Sequence, residues 1–406
     1  MNQGDVDDRT NPNAPWTTVP LTQEEYADFR RRFDARLTKV KAKTADVFAF
    51  RDVKSPPYIV NSALYWVFGL DTDTLPEDYV TDPAVMINFQ ERTYYDQVKE
   101  IDDDFVPYLM PWYGTIVTAS ALGCQIEYFY KQDPAANSRF YPIQNAADVR
   151  RMQIADPERD GLMPRVLDYL RLMKQHSFLP VGITDFQGPL TTANQLMGYD
   201  KLIYLMHDDP RAMHELMDKV TETLIVWVKR QKEVIGEPLT ECIGDQQVYT
   251  GEHAGVWFSD DDAVLMSTKT YREFVAPYNS RILKAFGGGC VHYCGNATHH
   301  ADTFLAMEGL KALNIYNLYN IRSVAELQKK LQDRIALFVC DFTPVDFEAY
   351  FDEMLTTLSY RGLVICSQYS PVVGLLKGGK YDAVQRDLHA GRRAVFEYLQ
   401  NWFAQR

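Results

Sequence analysis

"GGGCVHYCGN", residues 287–296, sets a glycine run before Cys290, His292 and Cys294, which recur at every second position. In an extended strand alternate side chains share a face. The two cysteines and the histidine therefore point one way, and Val291 and Tyr293 the other. Gly295-Asn296 then turns the chain, so the strand is short, about Gly289–Cys294. Apolar runs of the same kind recur at Pro57–Val60, Phe105–Met110, Pro180–Phe186, Ala254–Ser259, Ala312–Asn317, Ile335–Cys340 and Gly362–Ser367. Amphipathic helical patterns separate most of them. Asp209-Pro210 opens one that runs to about Ile235, with Leu216, Val220, Leu224 and Val228 as its apolar stripe. Others are expected over Thr270–Phe286, Val324–Leu331, Pro344–Leu358 and Tyr381–Phe403. Eight strand–helix alternations predict an α/β chain folded as a (β/α)8 TIM barrel. Residues 1–45 would form an N-terminal tail and helical extension, and 46–406 the barrel. The long interval 112–175 should carry additional helices or a lid. Glu237–Tyr249 reads as an insert placed at the rim, near the active site.

The 406 residues carry a net charge of −13, and 46% are hydrophobic. That balance argues against nucleic acid or an anionic membrane as a main partner. No apolar run reaches the ~18 residues of a membrane span. The polar start, Met1–Pro20, does not read as a signal peptide, so a cytoplasmic protein, monomer or homodimer, is expected. The six cysteines are then expected as reduced thiols.

In a barrel, strand carboxyl ends carry the chemistry. His292 and Cys294 lie there, and Cys290 sits deeper as packing. Thiolate and imidazole are preferred zinc ligands, and a catalytic zinc keeps three protein ligands and an open position. The third ligand would come from another strand end, Cys366 or Cys340. A lumen packed with reduced thiols and one bonded histidine is the alternative. Asp185 ends the third strand and either orients or deprotonates substrate, or caps the next helix. Of Asp260, Asp261 and Asp262, one is expected to cap a helix, and Asp261 or Asp262 to reach the pocket. Trp112, Tyr113, Gln368 and Tyr369 are pocket candidates, with Tyr369 placed across a small barrel from His292.

Three stretches carry a family resemblance. "FSDDDAVLMSTKTYREFVAPYNSRILKAFGGGCVHYCGN" (258–296), "GPLTTANQLMGYDKLIYLMHDDPRAMHELMDKVTE" (188–222) and "FVPYLMPWYGTIVTASALG" (105–123) resemble the uroporphyrinogen decarboxylase superfamily. The resemblance implies a (β/α)8 barrel with its site at the carboxyl strand ends. True decarboxylases carry an Arg-rich segment near the N-terminus that grips substrate carboxylates. This chain shows no segment of that pattern, and Arg51 and Arg92 are isolated. The motif His292-x-Cys294-Gly295-Asn296 is similar to that of the zinc methyltransferases that work with corrinoid proteins. That likeness implies Zn2+ on His292, Cys294 and Cys366, with Cys340 as substitute. It also implies a corrinoid supplied by a separate partner protein, and a small, thiol-bearing acceptor or donor. The branch's later Cys aligns nearer Tyr369 than Cys366. Where some relatives hold an acid after the next strand, this chain has Tyr316 and Asn317. A carboxy-lyase and a non-catalytic tetrapyrrole- or corrinoid-binding barrel are the competing expectations.

Overall fold

The computed structural model describes residues 19–62, 78–129, 133–245, 247–316, 320–369 and 388–405. Six parallel strands form one continuous ladder in the order β1-β10-β9-β8-β7-β6. They are β1 Tyr58–Ser62, β6 Val256–Ser259, β7 Gly289–Cys294, β8 Leu310–Tyr316, β9 Ala336–Phe342 and β10 Leu363–Tyr369. Two extended segments complete the ring. Leu109 bridges Val181, and Gln187 bridges Ser259, both in parallel sense. The Asp104 amide donates to the Tyr58 carbonyl at 2.9 Å, which ties the first segment to β1. The architecture is the expected (β/α)8 barrel. The second and third expected strands pair by single bridges because Pro107, Pro111 and Pro180 lack the N–H a ladder needs. β9 and β10 each run two residues past their expected ends, and Asn317, the expected end of β8, lies outside the described residues.

The long helix Pro210–Ile235 starts where its signals place it. The Asp209 carboxylate accepts from the Ala212 amide, and Gly236 ends the helix in a left-handed conformation, φ 74°. The single helix expected over Thr270–Phe286 is two, Thr268–Phe274 and Ala276–Ala285. Val275 breaks it, since Pro277 can neither donate backward nor tolerate the preceding turn. The interval after Trp112 carries helices Val117–Ala121, Ala146–Arg151 and Met163–His176, with a small hairpin of β2 Ile126–Glu127 and β3 Ala135–Ala136.

The insert before β6 folds as a second hairpin, β4 Cys242–Asp245 with β5 Val248–Gly251. It sits at the amino ends of the strands, not at the rim expected from the sequence. It leads into β6 within a few residues, which fixes it there. The Gly255 amide donates to the Gly288 carbonyl at 2.8 Å. Phe48, at the end of the helix Gln23–Phe48, stacks on His253 at 4.9 Å and meets Phe338 edge-on at 6.0 Å. Trp257 stacks on Phe338 at 5.7 Å. Aromatic packing therefore seals the amino end of the lumen. The N-terminal helix is lashed on by Arg36, whose buried guanidinium pairs with the Asp103 carboxylate at 2.6 Å. The last helix, Leu388–Ala404, packs Phe396 and Phe403 against Tyr58 of β1. Among the described residues, no helix is long and apolar enough to cross a membrane.

Candidate metal centre

Register places Trp257, Cys290 and Ala312 across from one another, then Ser259, His292 and Asn314, then Cys294 and Tyr316. The Cys/His/Cys face of β7 is the lumen face, as alternation demands. Cys290 is fully buried. At the carboxyl end, Cys294 Sγ lies 3.4 Å from His292 Nε2. The 3-10 turn Asp261–Leu265, directly after β6, brings a third group. Asp261 Oδ1 stands 3.5 Å from His292 Nε2 and accepts the Cys294 amide at 2.9 Å. The carboxylate, imidazole and thiol atoms all lie within 4.8 Å of one another.

Short-range bonding holds this turn in place. The Asp260 amide donates to the His292 carbonyl at 2.7 Å. Its fully buried carboxylate accepts from Tyr271 Oη and Asn279 Nδ2, each at 2.7 Å. Burial pushes that carboxyl up to about 7, against those two bonds. His299 Nε2 contacts the Met266 carbonyl and His300 Nε2 the Ala263 carbonyl, both at 3.0 Å. Burial holds the His300 ring down at about 4, so at neutral pH it is an uncharged donor to that carbonyl.

The orientation of His292 is also set. Its Nδ1 is 2.5 Å from Asn314 Oδ1. Asn314 Nδ2 donates to Cys340 Sγ at 2.9 Å and to the Phe338 carbonyl at 3.3 Å. A carbonyl cannot donate, so the amide nitrogen must face Phe338 and its oxygen must face the imidazole. The proton then sits on Nδ1, and the Nε2 lone pair points at Asp261 and Cys294. Desolvation and the Asp261 carboxylate push the Cys294 thiol well up. Both effects favour a protonated sulphur unless a cation stands beside it. One carboxylate oxygen, one imidazole nitrogen and one sulphur form a donor set that fits Zn2+.

Cys366 and Cys340 lie elsewhere. In register, Cys294 faces Tyr316, Tyr316 faces Cys340, and Cys340 faces Cys366. At about 4.8 Å per strand, Cys340 is roughly 10 Å around the wall from Cys294. The Tyr316 ring, edge-on to His292 at 5.4 Å, stands between. The two buried thiols meet each other instead, and burial followed by the neighbouring Cys366 holds Cys340 well up. Asp261 occupies the place by His292 and Cys294 that Cys366 was expected to fill.

Asp185 is buried at the end of the third barrel segment. Beside it, the Thr184 amide donates to Gln231 Oε1 at 2.8 Å and the Thr184 hydroxyl to the Pro111 carbonyl at 2.6 Å. Gln368 lies on the lumen face of β10, fully buried, with neither amide atom hydrogen-bonded. Tyr369 points away from the lumen, contrary to expectation. Its hydroxyl sits over Gly391 of the last helix, where any side chain would collide with it. Adjacent strand residues cannot both face inward. Trp112 donates its indole N–H to Asp133 at 2.6 Å, and Tyr113 packs on Tyr169 at 5.5 Å. Asn314 went unnoticed in the sequence. Its signal was a lone amide in the apolar run "ALNIY".

Residues 109–237 match the family model described as uroporphyrinogen decarboxylase (URO-D). That match takes in the motif at 188–222 and most of the one at 105–123, and the superfamily resemblance stands for them. Uroporphyrinogen decarboxylase of Syntrophotalea carbinolica is 28% identical over 204 residues, 48% of this chain and 52% of that protein. The namesake of Halalkalibacterium halodurans is 38% identical over 97 residues, 22% of this chain and 27% of that one. The matched part of the chain thus spans about half, or less, of these curated relatives. Among solved structures, a methyltransferase from Methanosarcina mazei superposes with a TM-score of 0.62 at 17% identity, covering 90% of this chain and 99% of that one. That likeness establishes a shared fold.

Proposed function

We propose that this chain is a metal-dependent methyltransferase. It would move a methyl group between a corrinoid held by a separate protein and a small, thiol-bearing acceptor or donor. The convergence of Asp261, His292 and Cys294 carries this reading. These three residues would hold Zn2+. A bound zinc supplies Lewis acidity that keeps a substrate thiol deprotonated at neutral pH. The chain's own residues do the rest. Asn314 holds His292 in the tautomer whose Nε2 is free, and the Cys294 amide fixes Asp261. Asp185, at the end of another barrel segment, orients the substrate. The methyltransferase with the same fold supports the reading.

The curated relatives' name favours a decarboxylase as the second reading. A polycarboxylate substrate would need cations at the barrel mouth. Arg51 instead pairs with Asp46, and Arg92 with Glu25 of the N-terminal helix.

Zinc content per chain, followed by methylcobalamin demethylation with a panel of thiols, tests the proposal. Wild type and Cys366→Ser should retain the metal, whereas Asp261→Ala and Cys294→Ser should lose it. A metal-free wild type, or turnover of uroporphyrinogen by that metal-free protein, would sink the methyltransferase reading.

A further inference from the structure

A cleft of about 350 Å³ opens on the outer wall of the barrel, lined by Leu21, Tyr26, Ile87, Asn88, Glu91 and Leu172 among others. The start of the N-terminal helix, the helix Pro83–Glu100 and the helix Met163–His176 form its sides. Its volume is at the small end of ligand pockets, about 300–1,000 Å³. The walls are mostly hydrocarbon, with one carboxyl among them. Glu91 is 6% exposed. One of its oxygens, Oε1, accepts the Ser177 hydroxyl at 2.5 Å, its single hydrogen bond among the described residues. Among those residues no ion pair reaches it, although His176 also lines the cleft. Its neighbour Arg92 turns away to Glu25 and to the carbonyls of Val19 and Pro20. Burial raises the Glu91 carboxyl, opposed by the Ser177 bond alone. The Tyr26 hydroxyl, also in the cleft, is already engaged with the His176 carbonyl and the Phe178 amide.

Buried carboxylates are normally paired. This one faces a cavity that can admit its partner. We propose that the cleft is a binding site for a small hydrophobic primary amine, bound as its ammonium ion. The ammonium would pair with Glu91 Oε2, and Asn88 offers a second acceptor in the same cleft. The hydrocarbon part would lie along Ile87, Leu172 and Leu21. The cleft lies on the helix layer, outside the barrel wall that carries His292, so it stands independently of the metal reading.

Phenethylamine and 2-phenylethanol, equal in shape and different in charge, are suitable probes for titration calorimetry on the full chain at pH 8. The amine should bind at least tenfold more tightly than the alcohol, and Glu91→Gln should abolish that ratio. Ala84→Trp, which fills the cleft and leaves the carboxyl intact, should abolish binding of both and covers the case in which Glu91→Gln does not fold. Equal affinity for the two probes overturns the proposal. So does an amine preference that survives Glu91→Gln, or amine binding that survives Ala84→Trp.

Discussion

Asn314 is the residue on which the candidate metal site turns. Its amide oxygen holds His292, and its amide nitrogen is held in turn by Cys340 Sγ and the Phe338 carbonyl. Cys340 thus acts at one remove, as an acceptor that keeps the amide from flipping. Cys340→Ser keeps an acceptor and should leave the His292 proton on Nδ1. Cys340→Val removes it and leaves the longer bond to the Phe338 carbonyl as the weaker remaining hold on the amide. Nitrogen-15 chemical shifts of His292 in the metal-free protein report the tautomer directly. A mixed tautomer population in the valine variant and a single one in the serine variant is the expected result. Loss of zinc affinity in the valine variant should follow, by about tenfold to a hundredfold as for other outer partners of metal-bound histidines. The His292–Cys294 pair was legible because strand alternation is local. Asp261 was legible only as a member of an acidic run, because its approach to His292 depends on how β6 and β7 register. Cys366 and Cys340 were misread for the same reason. Sequence spacing places both at strand ends but does not say how far around the barrel those strands stand.

At the level of elements, the closing helix Leu388–Ala404 is tied to the helix Pro83–Glu100 by one carboxylate. Glu100 receives His389 and Arg393, each at 3.1 Å, and the buried Arg392. Burial alone would raise this carboxyl, but His389 and Arg392 overcome it and hold it at about 2. Glu100→Gln removes the carboxylate that receives the buried Arg392. That should cost about 3 kcal/mol, seen as a lower urea midpoint, with faster amide exchange concentrated in Val395–Leu399. The elements themselves were largely legible. Strand periods and the Asp-Pro start of the long helix translated into structure. What failed was continuity. Pro277 divided one expected helix, and three prolines reduced two strands to bridged segments. The insert was read by analogy with rim loops, although the few residues between it and β6 already fixed it to the other end.

For the whole molecule, pH acts in opposite directions on different parts. Arg92 holds Glu25 at about 2, and Glu100 is held at about 2 as well. In the unfolded chain such groups titrate near 4.3. Their stabilisation is complete above that value and drains away as pH falls toward 2. Asp133 behaves oppositely. Burial pushes it up to about 6, against its bond from Trp112. The folded state keeps that proton while the unfolded chain loses it near 3.9, so stability declines as pH rises from about 4 to 6. The thermal midpoint should therefore peak at about pH 4, where the acid-side gain ends and the decline begins. Asp133→Asn should lessen the decline on the alkaline side of that peak and leave the acid side unchanged in a calorimetric pH series.

The ring of strands is not equally fastened all the way round. From β6 through β10 to β1 every neighbour shares a ladder, whereas the segments after residues 104 and 180 are joined by isolated bridges at Leu109–Val181 and Gln187–Ser259. A wall built this way breathes at one place. The segment carrying Asp185 can part from its neighbours for the loss of a few hydrogen bonds, while the arc holding Asp261, His292, Cys294 and Asn314 keeps its shape. In the proposed enzyme, substrate exchange would fall to the loose side of the barrel and metal retention to the stiff one.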